Sequence, residues 1–369
     1  MKGFVKILKD EIVLVIAVVL AIISSIFVKP NIGYLNYIDF KVLAILFCLM
    51  IVVAGLKQIS VFDIVSKWLI DKTDNIRSIS FILIALCFIS SMFITNDVAL
   101  ITFVPLSVIL LTDCDEKVLI LVIVLQTIAA NIGSMFTPIG NPQNLYLYSN
   151  YNLNAVEFFK SVLPVWFIGL LLLLISVSKI KNGKIELKIE KSITKFNKND
   201  FLIYMILFGI CFLTVFNKIS YVLTFILVLS YTVIKNKKLI KEVDYSLLLT
   251  FIAFFIFVGN LENINLIRES LTYFIKGNEF LSSIVLSQLI SNLPAALMIS
   301  GFTDNYNLIL RGVNVGGLGT LIASMASLIS YRIYLRSNNN KVEYVKVFTV
   351  YNFGFLVVIV TICFFIGLA

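Results

Sequence analysis

The 369-residue chain has no histidine, and only 14% of its residues are charged. Lacking histidine, it lacks the side chain that shuttles protons near neutral pH and the commonest transition-metal ligand. Its five cysteines, Cys48, Cys87, Cys114, Cys211 and Cys363, are scattered and odd in number, with no CxxC-type spacing. They read as packing residues rather than a metal site or a disulfide framework. No HExxH motif or Ser/His dyad can be built, and no Ser/Lys dyad or pair of acidic metal ligands stands out. These absences argue against a membrane-embedded enzyme and against a bound cofactor.

What the chain has instead is apolar length. Its hydrophobic fraction is 60%, against roughly 45–50% apolar and about 25% charged in soluble domains. Several runs approach the ~20 residues that cross a bilayer as a helix. The fold class expected is an all-α polytopic membrane protein embedded in the lipid bilayer. The net charge of +9 calls for no nucleic acid, because lysine and arginine collect in short cytoplasmic loops of membrane proteins. The first apolar run, Glu11 to Val28, is followed by no small-residue cleavage pattern and reads as a retained helix.

Asn131 to Tyr148, NIGSMFTPIGNPQNLYLY, interrupts this pattern. Pro138 and Pro142 remove backbone donors and clash with the preceding turn, so one continuous helix is excluded. In lipid the freed backbone groups need partners inside the protein or in a water-lined cavity. Asn314 to Tyr331, NVGGLGTLIASMASLISY, repeats the segment without gaps. Asn131 matches Asn314, Gly133 matches Gly316, Thr137 matches Thr320, and Gly140-Asn141 is answered by Ala323-Ser324. Upstream of each lies a further pair, Thr95-Asn96-Asp97 and Ser291-Asn292-Leu293. Broken helices of this kind hold ions and anions near the bilayer midplane in transporters built from inverted repeats.

The chain therefore divides into two inverted-topology repeats, each with a re-entrant helical hairpin and a broken transmembrane helix. The N-terminal repeat covers 1–178, with its hairpin at about 80–111 and its broken helix at about 118–150. A basic cytoplasmic linker, 179–200, carries seven lysines between Lys179 and Lys198. The C-terminal repeat covers 201–369, with its hairpin at about 281–302 and its broken helix at about 308–335. Lys2, Lys6 and Lys9 place the N-terminus in the cytoplasm, Lys188 falls on the same side, and Asn150 and Asp304 fall outside. Lys57 to Asp74, including Asp71 and Lys72, has the pattern of an amphipathic interfacial helix, and Leu261 to Lys276 resembles it. Asp113, with its charged neighbours, closes the first hairpin in water. Asn96 and Asn131 are 35 residues apart but Asn292 and Asn314 only 22, which predicts a short return arm, a short half-helix and a shallow vestibule in the second half.

The ITND…P pattern at Ile94–Pro105, TPIGNPQN at Thr137–Asn144 and SNLPAALM at Ser291–Met298 resemble the ion-transporter superfamily. The nearest branch contains arsenite and anion permeases, citrate transporters and D-type sodium/proton antiporters. The divalent-anion/sodium symporters of the solute carrier 13 type are more distant. The resemblance covers about Phe40 to Gly367. It implies a scaffold and a mobile transport domain, often in a homodimer, in the plasma membrane. It also implies one site at Thr95, Asn96, Asp97, Asn131, Gly133, Thr137, Pro138, Gly140 and Asn141, and another at Ser291, Asn292, Asn314, Gly316, Thr320, Ala323 and Ser324. The symporters carry Ser-Asn-Thr at both tips, whereas this chain reads Thr-Asn-Asp and Ser-Asn-Leu.

The function expected is secondary active transport of an inorganic or organic anion, with sodium or protons as coupling ion. A sodium/proton antiporter using Asp97 is the alternative, and a channel is a third. Asp97, the one carboxylate placed deep in a hairpin, can serve as cation ligand, proton carrier or helix N-cap. Arg311, one turn before Asn314, either faces an anion or snorkels to the interface.

Overall fold

The computed structural model describes residues 11–70, 73, 75–111, 114–184, 197–338 and 340–369. The expectations for Lys2, Lys6, Lys9, Asp71, Lys72, Asp113 and Lys188 lie outside the described residues. Among the described residues there is no β-strand. Seven helices among the described residues are long and apolar enough to cross a membrane.

The N-terminal half runs α1 (Ile12–Phe27), α2 (Phe40–Gln58), the amphipathic α3 (Val61–Ile70), α4 (Ile76–Ile94), α5 (Asn96–Leu110), α6 (Glu116–Ser134), α7 (Pro142–Asn150) and α8 (Ala155–Ser178). A further helix, α9 (Lys198–Val215), leads to the second half. There α10 (Tyr221–Lys235), α11 (Tyr245–Glu262), α12 (Asn265–Ile275), α13 (Glu279–Ile290), α14 (Asn292–Ser300), α15 (Tyr306–Gly316), α16 (Met325–Ser337) and α17 (Lys341–Phe365) follow in the same order. A short 3₁₀ turn joins α1 to α2 (Ile32–Tyr37), and another joins α10 to α11 (Lys237–Glu242). The return arm α14 has 9 residues against 15 in α5, and α15 has 11 against 19 in α6. Those differences account for the unequal Asn spacings.

Side-chain caps fix where the helices start. Asp39 accepts from Val42 N–H at 3.0 Å and Asp244 from Leu247 N–H at 2.9 Å, so α2 and α11 begin on equivalent caps. Asn154 and Glu157 form a reciprocal capping box that starts α8, which satisfies two orphan donors at once.

The loops collect at two ends. At one end Arg77 Nε donates to Ile180 O, Asn236 to Gln58, and both Tyr334 and Asn340 to Glu116. At the other, Ser149 donates to Asp39, Lys41 to Asn217 and Asn263 to Tyr37. The hairpin α4–α5 has its root at the first end, beside Glu116. The hairpin α13–α14 has its root at the second, where Thr303 bonds Glu279 and Tyr151 bonds the Thr303 carbonyl.

The halves interlock crosswise. Helix α1 packs on α11 and α10 on α2, while α16 lies against α5 and α7 against α14. Two apolar cores result, one around α1, α2, α9, α10 and α11, the other around α4, α5, α6, α8 and α17. Cys48 and Cys211 are buried in the first, Cys87 and Cys363 in the second. Large apolar side chains such as Ile22, Leu202, Ile226 and Val357 are exposed, as helices facing lipid require. Helix α6 is buried over most of its length and carries Asn131 near its end.

Candidate functional site

Each hairpin reverses through a single residue. Thr95 has φ +71° and ψ 151°, and Ser291 has φ +81° and ψ 153°. This region is adopted almost only by glycine, and a residue held there stores about 1–3 kcal/mol of strain. The strain is offset by a bond from the next residue of each hairpin to the break in the following helix. Asn96 N–H donates to Gly140 O at 3.2 Å, and Asn292 N–H to Ala323 O at 2.9 Å. Gly140 and Ala323 are the residues that the sequence repeat aligns.

The breaks leave backbone carbonyls without helical partners, and side chains supply them. In the first break Asn144 Nδ2 donates to the carbonyls of Ser134 (3.4 Å), Met135 (3.2 Å) and Thr137 (3.1 Å). In the second, Gln288 Nε2 donates to Gly316 O at 2.8 Å and Leu318 O at 3.0 Å, and its Oε1 accepts from Thr320 N–H at 2.8 Å. Thr137 Oγ1 donates to Met92 O, and Thr320 Oγ1 to Gln288 O at 3.2 Å. Both threonines thus bind the carbonyl four residues before the tip Asn of their own hairpin. Pro138 is buried within the first break.

Gly133 and Gly316 serve close packing and do not line the centre. A Cβ on Gly133 would run into the Phe88 carbonyl and Ser91 Oγ, and one on Gly316 into Ser287 Oγ at 2.6 Å. Gly140 is similarly pressed against the Ser134 backbone.

The two expected sites are one. Asn131 Oδ1 accepts from Asn96 Nδ2 at 3.0 Å and from Ser324 Oγ of the other half at 3.0 Å. Asn131 Nδ2 reaches Gly317 O at 3.4 Å. Reciprocally, Asn141 Nδ2 donates to Asn314 Oδ1 at 3.1 Å, and Asn314 Nδ2 to Asn144 Oδ1 at 2.7 Å. The break residue of each half therefore bonds the asparagine of the other, because the half-helices α7 and α16 pack across the repeat boundary. Asn292 is 6% exposed and lies beside Gly317. Its side-chain amide makes no hydrogen bond among the described residues. The assembled centre is buried and built from amides and hydroxyls.

A cavity of about 270 Å³ lies beside this centre, on the side that holds Lys57, Glu242 and Asp244. Thr95, Asp97 and Val98 of the first tip, with Pro142 and Met325 at the starts of both half-helices, line it. Asp97 is not the N-cap of α5. The cap position is Thr95, which makes no side-chain cap, and Asp97 Oδ1 is buried without a hydrogen-bond partner. At the opposite end a cavity of about 220 Å³, bordered by Asp39, Glu262 and Asn150, stops short of the second tip. Arg311 takes neither expected role. Its Nε donates to Ser161 O at 2.9 Å and its Nη1 to Leu368 O at 3.1 Å, tying α15 to α8 and the C-terminus.

Cation ligands at the centre narrow to a few atoms. Most break carbonyls already accept from Asn144 or Gln288, and Asn131 Oδ1 accepts twice, whereas Asp97 Oδ1 is unengaged. No group of three or more metal-ligating side chains of the His, Cys, Asp or Glu type occurs among the described residues. The sequence reading missed Asn144, Gln288 and Gln126. Gln126 is fully buried on α6, where it bonds Ser107 Oγ at 2.8 Å and Leu83 O at 3.3 Å. Their signal was an amide inside an otherwise apolar run, which in lipid demands a partner.

Comparison with known proteins gives several matches. A profile of the citrate transporter family matches residues 4–306. An uncharacterized transporter of Methanocaldococcus jannaschii is 36% identical over 310 residues, 83% of this chain and 83% of that protein. The inner membrane protein YbiR of Escherichia coli is 29% identical over 300 residues, 80% of each chain. A silicon efflux transporter of Oryza sativa is 29% identical over 133 residues, 36% of this chain and 27% of that protein.

Proposed function

Because the chain belongs to the citrate transporter family, and is a multi-pass membrane transporter rather than an enzyme, we propose that it carries a small inorganic or organic anion by secondary active transport. The observation that carries this reading is the shared acceptor Asn131 Oδ1, which joins a hairpin tip of one half to the broken helix of the other. A site that both halves build can be exposed by either half in turn. That is what alternating access between inverted repeats requires. In an elevator-like cycle the hairpins and broken helices move together against α1, α2, α9, α10 and α11.

Amide donors and the N–H groups that open α16 suit an anion; at α7, Pro142 has no N–H and Asn144 N–H is taken by Asn141 Oδ1 at 2.8 Å. The matched family is named for citrate, and one relative for silicon efflux, so small oxygen-rich solutes form the test set. The coupling ion is sodium or a proton. The positive-inside bias supports a cytoplasmic N-terminus and Lys57, with Asn150 and Asp304 outside; a homodimer in the plasma membrane is part of the same reading and rests on the family resemblance. Uptake by proteoliposomes across a panel of carboxylates, arsenite, silicate and phosphate, with and without sodium or pH gradients, tests the assignment. Saturable uptake of at least one solute is expected; its absence for the whole panel would remove the anion reading.

A second reading is favoured by Asp97 alone. Its unpartnered Oδ1 borders a cavity shared with Asp244 and Lys57, the setting of an intramembrane carboxylate that exchanges sodium for protons. Cation-driven proton movement in the same vesicles, without any anion, would support the antiporter instead.

A further inference from the structure

The two cavities that flank the polar centre are copies of one another. Aligning the equivalent caps Asp39 and Asp244 puts α2 in register with α11, and aligning the tips puts α5 in register with α14. In that register Val53 of the larger cavity corresponds to Val258 of the smaller, Asp244 to Asp39, and Ile101 to Leu297. Each pair lines its own cavity. The cavities differ at the bottom. The larger reaches the tip residues Thr95 and Asp97. On the other side their counterparts, Ser291 and Leu293, are 1% and 5% exposed and cut off from the cavity.

Two of the differences between the copies put bulk in the smaller cavity. Where the larger cavity has Met50 and Ile329, the smaller has Phe255 and Tyr146. The Tyr146 and Phe255 rings lie 5.7 Å apart between centroids. The Tyr146 hydroxyl makes a buried hydrogen bond of 2.7 Å with Ser300 Oγ, which ties α7 to the return arm of the second hairpin. Aromatic bulk and a latch thus occupy the space that is open in the other copy.

We propose that the smaller cavity is the second entrance to the same site, and that Tyr146 and Phe255 are its gate. The assignment rests on the alternating-access reading of the site. The solute passing this entrance is the one the polar centre binds, with its coupling ion. Opening requires the Tyr146 ring to leave Phe255 of α11 as the moving body shifts, and its side chain to swing off Ser300 within that body, which uncovers Leu293 and Ser291. The opposite entrance, bounded by Ile329 and Met50, has no such latch.

The test is thiol accessibility of Leu293→Cys, in a background with all five native cysteines replaced, to an impermeant reagent applied from the Asn150 side. Slow labelling is expected in the parent. Tyr146→Ala should raise the rate tenfold or more. Tyr146→Phe, which keeps the ring and loses the Ser300 bond, should raise it by a smaller factor. Ile329→Ala should leave it unchanged. If Tyr146→Ala is not monodisperse, Phe255→Leu tests the same gate, with an increase expected. An unchanged Leu293→Cys rate in the gate variants would overturn the proposal, provided that Val98→Cys still labels from the opposite side. Labelling needs no transport. Faster labelling in a protein that moves no anion would retire the transported species and keep the gate, whereas normal uptake with unaltered labelling would do the reverse.

Discussion

Asn96→Leu and Asn292→Leu should both stop uptake, yet only the first should weaken the fold. The two asparagines hold equivalent places at the hairpin tips and differ in what their amides touch. Asn96 donates to Asn131 Oδ1 at 3.0 Å, and its own Oδ1 accepts from Asp97 N–H at 3.0 Å. Each such bond is worth about 1 kcal/mol net, and a buried N–H left unpaired costs about 1–3 kcal/mol more. Asn131 keeps its bond from Ser324, which limits the damage on that side. The loss for Asn96→Leu is therefore roughly 3–5 kcal/mol. Among the described residues Asn292 has no side-chain hydrogen bond to lose, and leucine is close to it in volume, so the change costs less than Asn96→Leu. Thermal unfolding in detergent reads the first quantity, and solute uptake by proteoliposomes reads the second. Equal destabilisation by the two variants would refute the assignment of Asn292 as a poised, unengaged amide. Near-normal uptake in either would remove that tip from the site.

Gly133→Ala should lower stability by about 1–3 kcal/mol, the usual range for overpacking, because its Cβ meets the Phe88 backbone carbonyl. Gly316→Ala should cost a similar amount, since its Cβ meets Ser287 Cβ at 2.7 Å and Ile284 Cα at 3.1 Å, which cannot turn away as Ser287 Oγ could; unfolding midpoints of the two variants check this. Asp97→Asn should unfold like the parent, having no carboxylate bond to break at Oδ1, while the sodium and pH dependence of uptake changes. An unaltered ion dependence would deny Asp97 a coupling role. Cysteines placed at Asn150 and Asp304 should label from outside intact cells and one at Lys57 only from inside; the opposite pattern would invert the topology.

The first break was legible because Pro138 and Pro142 cannot continue a helix. The second has no proline, and only its register with Asn131, Gly133 and Thr137 exposed it. The hairpin tips were legible as polar residues in apolar surroundings, but their backbone was not. Thr95 and Ser291 adopt a positive φ that their residue types do not advertise, and only the bonds to Gly140 and Ala323 hold it. The carbonyl caps were hidden for another reason. Asn144 follows its break, whereas Gln288 precedes its own from the hairpin arm, so the same task falls at positions that do not align. The crossing of Ser324 to Asn131 and of Asn141 to Asn314 was beyond reach, because it depends on α7 and α16 packing against the opposite hairpins. Arg311 looked like an anion ligand or a snorkelling residue from its place in the chain. Its carbonyl partners, Ser161 and Leu368, lie on two other segments that local sequence does not connect.

Uphill movement of solute is the most direct measurement. Proteoliposomes holding the purified protein would be given equal solute on both sides, and then an inward sodium or proton gradient. A site built by both halves and opened by each in turn should concentrate the solute several-fold, and an ionophore that collapses the gradient should release it. Solute that only equilibrates, at a rate that does not saturate, would show a continuous pore and contradict alternating access.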